Sequence, residues 1–207
     1  MENRSAARAV SLSLVLGLLC SLWATVSVRA ADPALAAKGG YEGRIRLVRF
    51  LDEPDGYCFD VPGPVGNRFT QFPLVAHTCH FDPLADQVFE FNTRGSGQLR
   101  WTYEEEDLCF EALGTDSGVN IDLRACGASA QQRFEYTGLG EFKLVGSELC
   151  IHVEKTGPGI GESAGEGQDR YGRGNSVNAQ FTHLMRRLEL RTCGTEDPSM
   201  SRWQSTD

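Results

Sequence analysis

One phrase occurs twice in this chain. Gln87-Val-Phe89-Glu-Phe91 and Gln132-Arg-Phe134-Glu-Tyr136 share the order Gln-x-Phe-Glu-aromatic. Each is followed by a glycine turn, a Gly-x-apolar-basic-apolar stretch and a cysteine: Gly97 to Trp101 before Cys109, and Gly140 to Leu144 before Cys150. A third such stretch, Gly43 to Leu47, precedes Cys58. The cysteines align as Cys58 with Cys79, Cys109 with Cys126 and Cys150 with Cys193. An aromatic follows the second cysteine of each set at 10, 8 and 10 residues: Phe89, Phe134 and Trp203. A unit of this size cannot bury both faces of its own hairpins, so three copies must share a core.

The elements inside each copy are short. Segments such as "IRLV", "CFDV", "LRWTY", "LCFEAL", "RFEY" and "LCIHV" are four to six residues long and rich in aromatic and β-branched types. Glycine turns such as "TRGSG" and "TGLG" punctuate them. The pattern predicts an all-β domain of about a dozen strands. Only 179–190, "AQFTHLMRRLEL", offers a candidate helical turn.

The first 30 of the 207 residues read as a secretory signal peptide. They have a basic start at Arg4 and Arg8, an apolar run, and small residues ending at Ala30. Removing three basic and one acidic residue from the 20 and 28 of the whole chain leaves 17 and 27, a formal charge of about −10. An acidic domain lacks the footprint for nucleic acid and is repelled by anionic membranes, so neither partner is expected, nor is membrane insertion after cleavage. Loss of Cys20 with the leader leaves six cysteines, an even count that in an exported protein points to disulfides. Six cysteines allow 15 pairings. The expected location is secreted, periplasmic or otherwise extracellular.

These cysteine-bracketed repeats, closing on Gln-x-Trp-like triplets, resemble the ricin-type lectins. The resemblance spans roughly residues 41–204 and implies a β-trefoil with pseudo-threefold symmetry. Its repeats would fall at about 41–92, 93–137 and 138–204, after a short linker at 31–40. It also implies one disulfide within each repeat: Cys58–Cys79, Cys109–Cys126 and Cys150–Cys193. Phe replaces Trp in two triplets and Ser201 replaces the third Gln, which marks a divergent member.

The family's sugar pocket draws on an Asp two residues after the first Cys, an aromatic two before the second Cys, and an Asn just before the triplet Gln. The carboxylate accepts from adjacent sugar hydroxyls, the ring stacks on the C–H face, and the amide fixes orientation. In the first copy these positions hold Asp60, His77 and Asp86, beside Gln87. The second holds Glu111, Arg124 and Gln131, and the third His152, Arg191 and Met200. Neither arginine offers an aromatic platform, so the first copy is the expected carbohydrate site. Phe72 or Phe81 could supply the ring instead of His77, with Gln71 or Gln87 adding amide contacts. In the competing view Asp60 closes a turn at "DVPG" and His77 is a hydrogen-bonding histidine. A single shallow site of this kind would bind at about −4 kcal/mol, the millimolar range.

Other signals point away from catalysis and cofactors. Gly161-Glu-Ser163-Ala-Gly165 matches a nucleophile elbow but lacks the strand before it and the helix after it. His77 and His80 flank Cys79, yet a disulfide-bonded sulfur is no ligand and no second ligand pair stands at zinc spacing, so no metal is expected. Glu104-Glu-Glu-Asp107 lacks the spaced ligands of a calcium loop. The expected function is therefore non-catalytic binding of glycans or glycoconjugates, with no cofactor. The alternative is a protein-interaction or inhibitory module acting through the 156–179 insertion, which carries seven glycines in 24 residues.

Overall fold

The computed structural model describes residues 31–51, 53–63, 68–80, 85–154, 184–194 and 197–206. The expected leader, the 156–179 insertion, its Gly-x-Ser-x-Gly match and Phe81 lie outside them. Twelve strands follow one another among the described residues. The first unit holds β1 (Tyr41–Leu47), β2 (Tyr57–Asp60), β3 (Val75–Thr78) and β4 (Phe89–Phe91). The second holds β5 (Leu99–Tyr103), β6 (Glu106–Ala112), β7 (Ile121–Ala125) and β8 (Phe134–Tyr136). The third holds β9 (Phe142–Leu144), β10 (Leu149–Val153), β11 (Met185–Thr192) and β12 (Trp203–Thr206).

Two layers arise from the pairing. The outer strands of each unit form a ring in which β1 pairs β4 and β12, β4 pairs β5, and β8 pairs β9. Backbone bonds from Phe134 N to Gly97 O (2.7 Å) and from Trp203 N to Gly140 O (2.8 Å) complete it. In the first unit the same place is the register pair Gly43↔Phe89. The glycine opening each unit thus meets the aromatic that closes it. A side chain at Gly97 would place its Cβ 2.9 Å from the Phe134 carbonyl oxygen, at a φ of +69° that favours glycine. The middle hairpins, β2–β3, β6–β7 and β10–β11, cap one end. They are joined where β3 pairs β11 and where Leu74 N donates to Ile121 O. A closed six-stranded barrel with three hairpins across one end is the β-trefoil. Closure removes the exposed edges that an open sheet of short strands would leave.

The three disulfides pair within the units: Cys58–Cys79, Cys109–Cys126 and Cys150–Cys193, with Cα–Cα distances of 5.0, 4.9 and 5.0 Å. Each ties a cap hairpin across its own two strands. The core is aromatic. Phe59, directly after the first cysteine, has ring neighbours from all three units: Phe89, Phe110, Phe142 and Trp203, at centroid distances of 6.2, 5.3, 5.8 and 4.1 Å. Phe89, Phe134 and Trp203 are buried, as triplet aromatics that fill a shared core should be.

Two local expectations need amending. The segment offered as a helical turn is, from Met185 to Thr192, strand β11, with Leu188 and Leu190 fully buried on alternate positions. The pairing with β10 and β3 on its two sides overrides the local propensity. Residues 31–40 are docked rather than free. Leu35 lies in the core at 1 % exposure, and Asp32 Oδ2 accepts from the amide and hydroxyl of Ser205 at 2.9 Å each.

Candidate functional site

The first-unit residues singled out in the sequence come together around the Cys58–Cys79 disulfide. Asp60 ends β2 and His77 lies in β3; the register Cys58↔His77 puts Asp60 diagonally across from the imidazole. The Asp60 Oδ2 to His77 Nδ1 distance is 3.4 Å. Gln87 lies at the end of a 3₁₀ turn, Ala85–Gln87, and is fully buried. Its side-chain NH2 donates to Asp60 Oδ2 (2.7 Å) and Thr78 O (2.9 Å), and its carbonyl oxygen accepts from His80 N (2.9 Å). A buried amide whose oxygen and nitrogen are both engaged positions Asp60 instead of touching a ligand itself.

The second unit repeats this clamp bond for bond. Gln132 donates to Glu111 Oε2 (2.6 Å) and Ala125 O (3.0 Å) and accepts from Gly127 N (2.8 Å). The recurrence of Gln before the aromatic was the available sign of this role. In the third unit Ser201 is too short to reach across; its hydroxyl donates to buried Glu141 Oε1 at 2.7 Å.

The platform positions diverge further. Arg124 lies along its own strand with its guanidinium 2.7 Å from Asp122 Oδ2, and Arg191 does the same with Glu189 at 2.8 Å. Burial pushes the Asp122 carboxyl up, opposed by Arg124 and reinforced by Glu111. Glu111 faces Asp122, and buried His152 faces Glu189, so the Asp position is also recast in both copies. Met200 is buried. Among the described residues, only the first unit sets a flat ring beside a clamped aspartate.

A residue that sequence reasoning did not reach completes the first-unit group. Arg68, from the segment between β2 and β3, has a side chain only 5 % exposed and pairs with Asp86 Oδ2 at 3.2 Å. Its guanidinium also lies 6.0 Å over the Tyr103 ring. Burial raises the Asp86 pKa to about 6, the Asp60 charge adds to the rise, and Arg68 and His77 oppose it. No spacing rule marks Arg68, because it stands in a loop outside the repeated phrases. Phe72 is exposed and packs edge-on against Phe69, at 5.7 Å between centroids. Beside this group lies an open cleft of about 770 Å³, whose lining includes Tyr41, Glu42, Arg44, Arg46, Asp55 and His80.

The closed barrel, its three cap hairpins and the intra-unit disulfides define a disulfide-bonded β-trefoil. The profile of the ricin-type β-trefoil lectin domain matches residues 46–164, more than half of the chain, and the protein belongs to that family. Among solved structures it is similar to the hemolytic lectin CEL-III, at 17 % identity and a TM-score of 0.50. That match covers 83 % of this chain and 32 % of CEL-III, so the chain spans about a third of that relative's length. It also matches the β-trefoil lectin of the Vibrio vulnificus hemolysin/cytolysin, solved with N-acetyl-D-lactosamine bound, at 16 % identity and a TM-score of 0.43. The match covers 81 % of this chain and 94 % of that one. A comparison with curated protein sequences found no match.

Proposed function

We propose that this protein is an exported, non-catalytic glycan-binding protein whose sugar site lies in the first repeat. The observation that carries the reading is the difference among the three pockets. Asp60 is held by Gln87 with the His77 ring beside it, whereas Arg124 and Arg191 lie against carboxylates of their own strands. Asp60 accepts from vicinal hydroxyls of the sugar, and His77 supplies the flat face for its C–H side. Asp86 acts through Arg68, whose guanidinium it fixes and whose N–H groups can donate to sugar oxygens. Three charged groups so close together favour a polyhydroxylated ligand over an apolar one.

A glycan array of the oxidised protein from residue 31, run beside Asp60→Asn and Arg124→Ala, tests this. Binding lost in Asp60→Asn and kept in Arg124→Ala is the expected result. Equal binding by all three proteins would move the site away from the first repeat. No binding by folded wild type would reject the glycan reading.

A further inference from the structure

We propose that Asp60, His77 and His80 form a binding site for one divalent transition-metal ion of the zinc class. Each of the three offers one ligand atom, and these atoms lie within 4.8 Å of one another. The measured Asp60 Oδ2–His77 Nδ1 distance of 3.4 Å matches the edge of a tetrahedral site, where bonds of about 2.0–2.1 Å put neighbouring ligands about 3.3 Å apart. The His77 and His80 rings are 5.2 Å apart at 44°, which keeps the His80 imidazole within the same ligand group.

The scaffold favours this use. All three residues lie within two positions of the Cys58–Cys79 disulfide, which fixes β2 against β3 covalently. Gln87 steadies two of the three, through the Asp60 carboxylate and the His80 amide. Such outer contacts orient ligands in metal sites. The His80 carbonyl accepts from Arg44, which pins its main chain again. Asp60 and Asp86 supply negative charge; of the nearby cations, Arg68 is tied to Asp86 and Arg44 to that carbonyl. His80 also lines the open cleft against β1, which gives an ion a path from solvent. The reckoning from sequence spacing counted only the histidines around Cys79; strand pairing delivers the carboxylate.

Two imidazoles and one carboxylate suit zinc, cobalt, nickel or copper rather than calcium, which takes six to eight oxygens. Three protein ligands among the described residues also leave a coordination position for a further group. The site shares Asp60 and His77 with the proposed sugar pocket, and only that coupling rests on the glycan reading.

The test is isothermal titration of chelator-treated, oxidised protein from residue 31 with Zn²⁺, with Ca²⁺ as the contrast. The proposal expects one Zn²⁺ per chain, no Ca²⁺ binding, and affinity at least tenfold weaker in both His80→Ala and His77→Ala. Thermal melting in the absence of metal checks that both variants are folded. Absence of zinc binding, or binding unchanged in both variants, overturns it. Repeating the glycan array in chelator and in zinc separates the two ideas. Glycan binding with no zinc uptake rejects the metal site alone, and zinc uptake with a blank array rejects the glycan site alone.

Discussion

The first two units and the third solve one packing problem in two ways. In the first two, a buried glutamine ties a carboxylate on one cap strand to the main chain around the second cysteine. The residue after the opening glycine is then a donor: Arg44 to the His80 carbonyl, Gln98 to Gly127 O at 2.9 Å. In the third, both members are changed together. Glu141 follows the glycine as an acceptor, and Ser201 becomes the donor. The polar plug under the cap survives, but His152 stands where the first two units carry Asp60 and Glu111. A unit can therefore keep a polar clamp under its cap without a carboxylate at the position of Asp60. A triplet Gln marks a well-built cap more directly than it marks a sugar site.

The sharpest way to break this comparison is to remove the clamps. Gln132→Leu leaves the Glu111 carboxylate and the Gly127 N–H without their buried partner and should cost about 3 kcal/mol, read from chemical denaturation. Gln87→Leu should cost a similar amount. Ser201→Ala removes a single bond to Glu141 and should cost about 1 kcal/mol. Equal losses for Gln132→Leu and Ser201→Ala would mean that the two arrangements are equivalent.

A pH series sharpens the same contrast at Asp86. Its pKa in the folded protein is raised to about 6 from 3.8, chiefly by burial. Folding favours the protonated form, so this stabilisation is fully present below 3.8 and is lost as pH rises through about 6. Across that window the stability difference between wild type and Asp86→Asn should slope by up to about 1.4 kcal/mol per pH unit, and it should flatten above it. Denaturation curves at several pH values would read the slope; a flat difference would mean that the carboxyl titrates at its ordinary value. The smallest effect is expected at Arg124. Its side chain is 48 % exposed and its partner lies on its own strand, so Arg124→Ala should change stability by about 0.5 kcal/mol or less.

The repeat was legible because cysteines and core aromatics are rare residues under geometric constraint. Their spacing carried the strand count, the three units and the shared core, and the resemblance added the disulfide pairing that the structure contains. Asp60 and His77 were singled out by their offsets from the cysteines, and the structure sets their side chains beside each other. Gln87 was found but given a ligand-facing part, because a sequence does not say which amide is buried. Arg68 was missed since a loop arginine has no register to betray it. "LELRTC" at 188–193 reads as a strand, but the start of β11 fell in the candidate helical turn because Arg186 and Arg187 hide the alternation that Leu188 and Leu190 show.

Phe59 has a consequence for how alike the three units can be. Its ring meets core aromatics of every unit, while its counterparts Phe110 and Ile151, which follow Cys109 and Cys150, are also fully buried. The three equivalent positions thus hold two phenyl rings and one smaller branched side chain, a mixed set that fills the shared core without three identical groups. The units are therefore not interchangeable parts. The molecule has a keystone, and the unit that supplies it is the same one that retained the aspartate and the flat ring.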